Sequence, residues 1–126
     1  MKIRIKKKIN EDWRDTSWRF QDKKVTIGDI IDYIGDKIIE INPPEMRDQI
    51  LKNRGKDSLP TRGQDRIDRA NLNYPIIVVM KDGQYQYVLD GNHRLQKAVD
   101  LKKPLKAKVL NLDEPDTPQI FIDLFG

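Results

Sequence analysis

Isoleucines and charges alternate at the start of the chain. Ile3 and Ile5 sit between Lys2, Arg4 and Lys6, and this period of two predicts a short strand within residues 1–9. Trp13 and Trp18 follow among charges and are expected to seal that strand against the core. Beyond Thr26 the period changes. Ile27, Ile30, Ile31 and Ile34 share one helical face. Val25, Thr26 and Asp29 have the spacing of a capping box, and Gly35 suits the stop. Asn42-Pro43-Pro44-Glu45 reads as a second helix start, with Asn as cap and Pro in the first turn. Met46, Ile50 and Leu51 continue that helix, and Gly55 ends it.

Residues 55–63 carry Gly, Pro, Ser and Thr with little apolar content, so they read as a loop. A short helix is expected from Gln64 to Asn71, its Asp65, Arg66, Asp68 and Arg69 forming a solvated charged face. Pro75 to Met80 is a continuous β-branched run, which predicts a strand buried on both faces. Lys81-Asp82-Gly83 signals a hairpin turn, and Gln84 to Leu89 should return antiparallel with Tyr85, Tyr87 and Leu89 on one face. Asn92 then reads as the cap of a helix whose stripe is Leu95, Ala98 and Val99. Leu105 to Leu112 alternates as a further strand. Thr117-Pro118 opens a final short helix with Ile120, Phe121, Leu124 and Phe125. These elements predict an α+β fold: a small mixed sheet with packed helices, in a single domain over 1–126.

Length and composition narrow the field. A chain of 126 residues suits one domain with one modest core. Hydrophobic residues make up 37% and charged residues 35%. No run has the length of a membrane span and no apolar signal core follows Met1, so the expectation is a cytoplasmic protein without membrane contact. The absence of cysteine excludes disulfides, thiolate metal sites and cysteine nucleophiles. Charge is unevenly spread. Residues 1–24 hold nine Lys/Arg against four Asp/Glu, and the rest hold 15 against 16. Lys6, Lys7 and Lys8 are therefore candidate nucleic-acid contacts. They also suit a solvated edge strand, where lysines discourage aggregation.

The chemistry concentrates at Asp90-Gly91-Asn92-His93-Arg94, where a predicted strand becomes a predicted helix. Gly91 lets the backbone turn tightly beside a ligand. Free N–H groups and the helix dipole favour an anion there, a phosphate above all. Arg94 can add a bidentate contact. His93, the sole histidine, can donate a hydrogen bond or move a proton near neutral pH. Asp90 can orient either side chain, take a proton or bind a metal ion. Each residue also has a structural reading: Asp90 capping the turn, Arg94 pairing with Asp90, Gly91 serving as a turn glycine.

Tyr74 to Ala98 resembles the core of the ParB/sulfiredoxin superfamily: a Pro-Ile-Ile-Val strand, a hairpin, a strand ending in a Gly-x-His-Arg turn, and a helix. Leu105-Lys-Ala-Lys-Val109 is similar to the strand that follows, and the likeness spans roughly residues 64–112. The resemblance implies that Gly91, Asn92, His93 and Arg94 bind nucleotide phosphates. Sulfiredoxins carry a cysteine where this chain has Asn92, so their chemistry is excluded. Partitioning ParB proteins extend into a helix-turn-helix domain; this sequence ends about fourteen residues after the last matching strand, so a full partitioning clamp is not the expectation. The Asp-Gly-x-His-Arg form is similar to the serine-kinase branch, whose members also need a carboxylate from outside the turn. Glu45 and Asp32 are the candidates for it.

The leading expectation is thus a nucleotide-binding domain that transfers or hydrolyses a phosphoryl group. ATP, ADP or CTP with Mg²⁺ would be its ligands, and Asp90, His93 and Glu45 its catalytic residues; no metal ligands are assigned. One alternative is a ParB-like DNA-binding protein or small nuclease, acting through Lys6, Lys7 and Lys8. Another is a non-enzymatic domain that docks on a partner through Ile120-Phe121-Ile122-Asp123-Leu124-Phe125.

Overall fold

The computed structural model describes residues 16–55 and 63–126. Among these it is an α+β protein with five helices, a mixed four-stranded sheet and a two-stranded hairpin. Two compact units form, one from residues 16–35 with Pro118–Gly126 and one from Asp36–Thr117. The strand expected within residues 1–9, Trp13, and Lys6, Lys7 and Lys8 lie outside the described residues.

In the first unit, β1 (Ser17–Phe20) pairs antiparallel with β2 (Lys23–Thr26), with Trp18 opposite Val25. The hairpin was not expected from the pattern, since four-residue strands carry little periodicity. Thr26 ends β2 and caps α1 (Ile27–Ile34). Its Oγ1 accepts the N–H of Asp29 at 3.0 Å, and the Asp29 carboxylate accepts the N–H of Thr26 at 2.9 Å. The predicted capping box is thus complete on both sides. Ile27 and Ile30 are buried, and Gly35 terminates the helix as expected. The final helix α5 (Gln119–Phe125) buries Phe121 and Phe125. The Trp18 and Tyr33 rings meet them edge-on, at 5.1 Å from Phe125 and 5.4 Å from Phe121.

The second unit carries the sheet, in the order β3-β6-β4-β5. β4 (Ile76–Lys81) lies inside it, parallel to β6 (Leu105–Asn111) and antiparallel to β5 (Gln84–Asp90). Ile76, Ile77, Val78 and Val79 are all buried, which is why the run has no polar alternation. Each such side chain contributes about 1.5–3 kcal/mol by leaving water. The short β3 (Ile39–Ile41) forms one edge against β6.

The expected face of Tyr85, Tyr87 and Leu89 does not form, because two bulges interrupt β5. Val78 pairs with Val88 while Ile77 pairs with Asp90, leaving Leu89 over; Gln86 is left over in the same way. Val88 becomes the buried residue, with Tyr85 partly packed beside it. Helix α2 (Pro43–Arg54) begins as predicted, with Asn42 Oδ1 accepting the N–H of Glu45 at 3.2 Å, and ends at Gly55. It packs Met46 and Ile50 with Leu95 and Ala98 of α4 (Asn92–Leu101). Gln49 and Asn53 of α2 also take the N–H and C=O of Tyr85, each at 2.9 Å. α3 (Gln64–Arg69) is two residues shorter than expected; its charged residues are exposed and Ile67 alone among its residues is buried.

Candidate functional site

The site is a corner of the second unit, where β5 ends and α4 begins. Gly91 makes the corner with φ +105, the left-handed region that favours glycine. A Cβ at this position would lie 2.5 Å from Ile76 Cγ2 and 3.0 Å from Arg94 Nη2. The chain therefore turns closer to β4 than any side chain permits. Gly91 is also the cap of α4, not Asn92 as the pattern predicted. A glycine with positive φ moves the helix start by one residue. Asn92 then becomes the first helical residue, its side chain no longer placed to cap.

This start leaves backbone donors open. The first helical bond runs from the N–H of Leu95 to Gly91 O at 2.9 Å. No capping side chain serves α4, and among the described residues no acceptor takes the N–H groups of Asn92, His93 or Arg94. The helix dipole adds partial positive charge at the same point. Two buried side-chain atoms of this turn, Asn92 Oδ1 and Arg94 Nε, also find no hydrogen-bond partner among the described residues.

Arg94 reaches backwards. Its Nη2 donates to Asp90 Oδ2 at 2.9 Å and to the carbonyl of Pro75 at 3.3 Å. The two side chains are 19% and 29% exposed, so the pair is shielded more than a surface ion pair. His93 is half-buried. Its Nε2 lies 3.4 Å from where a Cβ on Gly63 would stand. Gly63 has φ +85 and starts α3, again without a capping side chain. Both helix starts therefore adjoin His93 uncapped, whereas α1 and α2 carry side-chain caps. One turn further along α4, Lys97 Nζ donates to the carbonyls of Asp68 and Ala70, at 2.6 and 2.8 Å. These bonds satisfy the end of α3 and hold it on α4.

Asp90, Gly91, Asn92, His93 and Arg94 thus share one turn. Glu45 stands apart in its chemistry. It is exposed in the first turn of α2, and its charge raises the pKa of Tyr85, second to the effect of burial. No hydrogen bond or ion pair among the described residues joins Glu45 to the turn. Asp32 is exposed on α1, in the first unit. Sequence reasoning missed Gly63, the Pro75 carbonyl and Lys97. Gly63 carried a signal, a glycine directly before the predicted helix; the other two depend on tertiary packing. Among the described residues no three His, Asp or Glu side chains gather as a metal cage.

Two open grooves lie at the other end of α4, either side of Lys103-Pro104. One is lined by Arg69, Asn71, Asn73 and Lys97. Arg69 is already paired with Asp65 at 2.7 Å and Lys97 with the α3 carbonyls, so these two cations answer local partners. Among the described residues no helix is long and apolar enough to cross a membrane. Comparison of the chain with protein-family models, curated proteins and solved structures finds no match in any of the three.

Proposed function

We propose that this chain is a nucleotide-binding domain of the ParB/sulfiredoxin type, and that the start of α4 holds the phosphates. The carrying observation is the run of three N–H groups, on Asn92, His93 and Arg94, that find no acceptor among the described residues, behind a glycine corner. Phosphate oxygens are strong acceptors and suit such a corner. The order β4, hairpin, β5, turn, α4, β6 agrees with the resemblance carried by residues 74–109.

The reaction class that fits is phosphoryl transfer or nucleotide hydrolysis, which relies on positioning and charge stabilisation. His93 is the group in the turn able to donate to a phosphate oxygen or carry a proton. Mg²⁺ held on the phosphates would neutralise charge that develops during transfer. Titration calorimetry with ATP, ADP and CTP, each with Mg²⁺, tests the proposal. Saturable binding of at least one, lost in His93→Ala or weakened by added inorganic phosphate, is the expected result. A folded protein that binds none of the three overturns it.

A further inference from the structure

A simple reading of the turn gives Arg94 to the phosphates as a charged clamp. The geometry points elsewhere: we infer that Arg94 is a positioning residue, a strut that braces the Gly91 corner from behind. Contact with the phosphates then falls to the main-chain N–H groups and His93. The inference rests on the proposed nucleotide site and assigns its parts.

Three observations carry it. Arg94 Nη2 is committed twice, to Asp90 Oδ2 and to the Pro75 carbonyl. Those partners flank the corner, one at the end of β5 and one just before β4. The guanidinium therefore ties the two strands together at the point where the chain leaves the sheet. Arg94 Nη2 also lies 3.0 Å from the position of a Cβ on Gly91, so it packs under the turn. Finally, the side chain is 19% exposed. Swinging it out to a ligand would leave the Asp90 carboxylate without its cation and the Pro75 carbonyl without its donor, both costly in a shielded place. The same pairing occupies Asp90. Taking up a proton there would weaken the brace, so His93 is left as the proton carrier of the turn.

The two assignments of Arg94 differ in what Asp90 does. If Arg94 is a ligand, Asp90→Asn frees the guanidinium, and nucleotide binding holds or tightens. If it is a strut, Asp90→Asn and Arg94→Gln break the same brace. Each should then weaken binding of the Mg²⁺–nucleotide about tenfold, a hydrogen-bonded charge's worth. The double variant should be no weaker than either single one, because the two act as one unit. Amide exchange from Gly91 to Leu95 should accelerate in all three proteins, and it can be read without any ligand. Arg94→Lys keeps the charge but not the fork, so it should resemble Arg94→Gln in affinity while preserving the overall fold.

Loss of binding in Arg94→Gln with full binding in Asp90→Asn overturns the strut. So does unchanged exchange across Gly91–Leu95 in both single variants. If the wild-type protein binds no nucleotide, the proposed function fails while the exchange data still decide the role of Arg94.

Discussion

Asp113 accepts the N–H of Asp82 on Oδ1 at 2.9 Å, and its Oδ2 takes the next N–H, that of Gly83, at 2.9 Å. A carboxylate from beyond β6 thus closes the β4–β5 turn, where Asp82 and Gly83 both have positive φ. These bonds, the one from Asp82 first, hold the Asp113 carboxyl below its usual pKa. A lowered folded-state pKa stabilises the protein above the unfolded-state value and is lost as pH falls through the folded one. Asp113→Asn should therefore lower Tm at neutral pH. Melting curves recorded into the acid range should converge with those of the wild type, and a constant gap would contradict the account.

Gly91→Ala should be among the most destabilising single changes in the protein. A left-handed alanine costs about 1–2 kcal/mol. Forcing a methyl against Ile76 adds about 1–3 kcal/mol of overpacking. Urea unfolding should show a fall of about 3 kcal/mol with an unchanged slope. Gly63→Ala, whose Cβ would meet His93 Nε2 at 3.4 Å, should cost less.

Thr26→Ala and Asn42→Ala should each cost about 1 kcal/mol, the usual worth of a helix cap. Asn92→Ala should cost less than either, because Asn92 is not the cap of α4. Equilibrium denaturation of the three variants ranks them directly.

Gln49 and Asn53 saturate Tyr85 on the exposed side of an edge strand. Gln49→Ala should cost about 1 kcal/mol and speed exchange of the Tyr85 amide. Asn53→Ala should lose similar stability while leaving that amide slow. Amide exchange that is equally fast in both variants would show that α2 guards the strand as a whole and not bond by bond.

Tyr85 and Tyr87 should ionise above the ordinary tyrosine value of 10.0. Burial is the larger cause for both. Glu45 adds to it at Tyr85, and Arg54, 4.6 Å over the Tyr87 ring, opposes it there. Raised folded-state values mean that this stabilisation is present below the unfolded pKa and fades as pH climbs through the folded ones. Phenolate absorbance should show Glu45→Gln lowering the titration of Tyr85 and leaving Tyr87 in place.

Much of the second unit was readable from the chain because its signals are local. The start at Asn42, the Asp82-Gly83 turn and the apolar run of β4 are each written within a few residues. β3 was not readable. Ile39-Glu40-Ile41 is too short for a period, and its identity comes from pairing with β6 far along the chain. The bulges of β5 were equally hidden. Alternation favours Tyr85, Tyr87 and Leu89, yet the register buries Val88. At the candidate site the pairing of Arg94 with Asp90 was readable from the i, i+4 spacing, and the reach of Arg94 to the Pro75 carbonyl was not. Nothing in Asp90-Gly91-Asn92-His93-Arg94 announces that Arg94 points back to Pro75.

The sheet order has a kinetic corollary. β4, β5, the glycine corner and α4 are consecutive in the chain, so their contacts close small loops. β6 must then slot between β4 and β3, and the ladder to β3 joins residues near opposite ends of the unit. Loop closure of that length is the slow part of folding. The corner at Gly91 can therefore take shape on a nascent hairpin, before the strand that completes the sheet arrives.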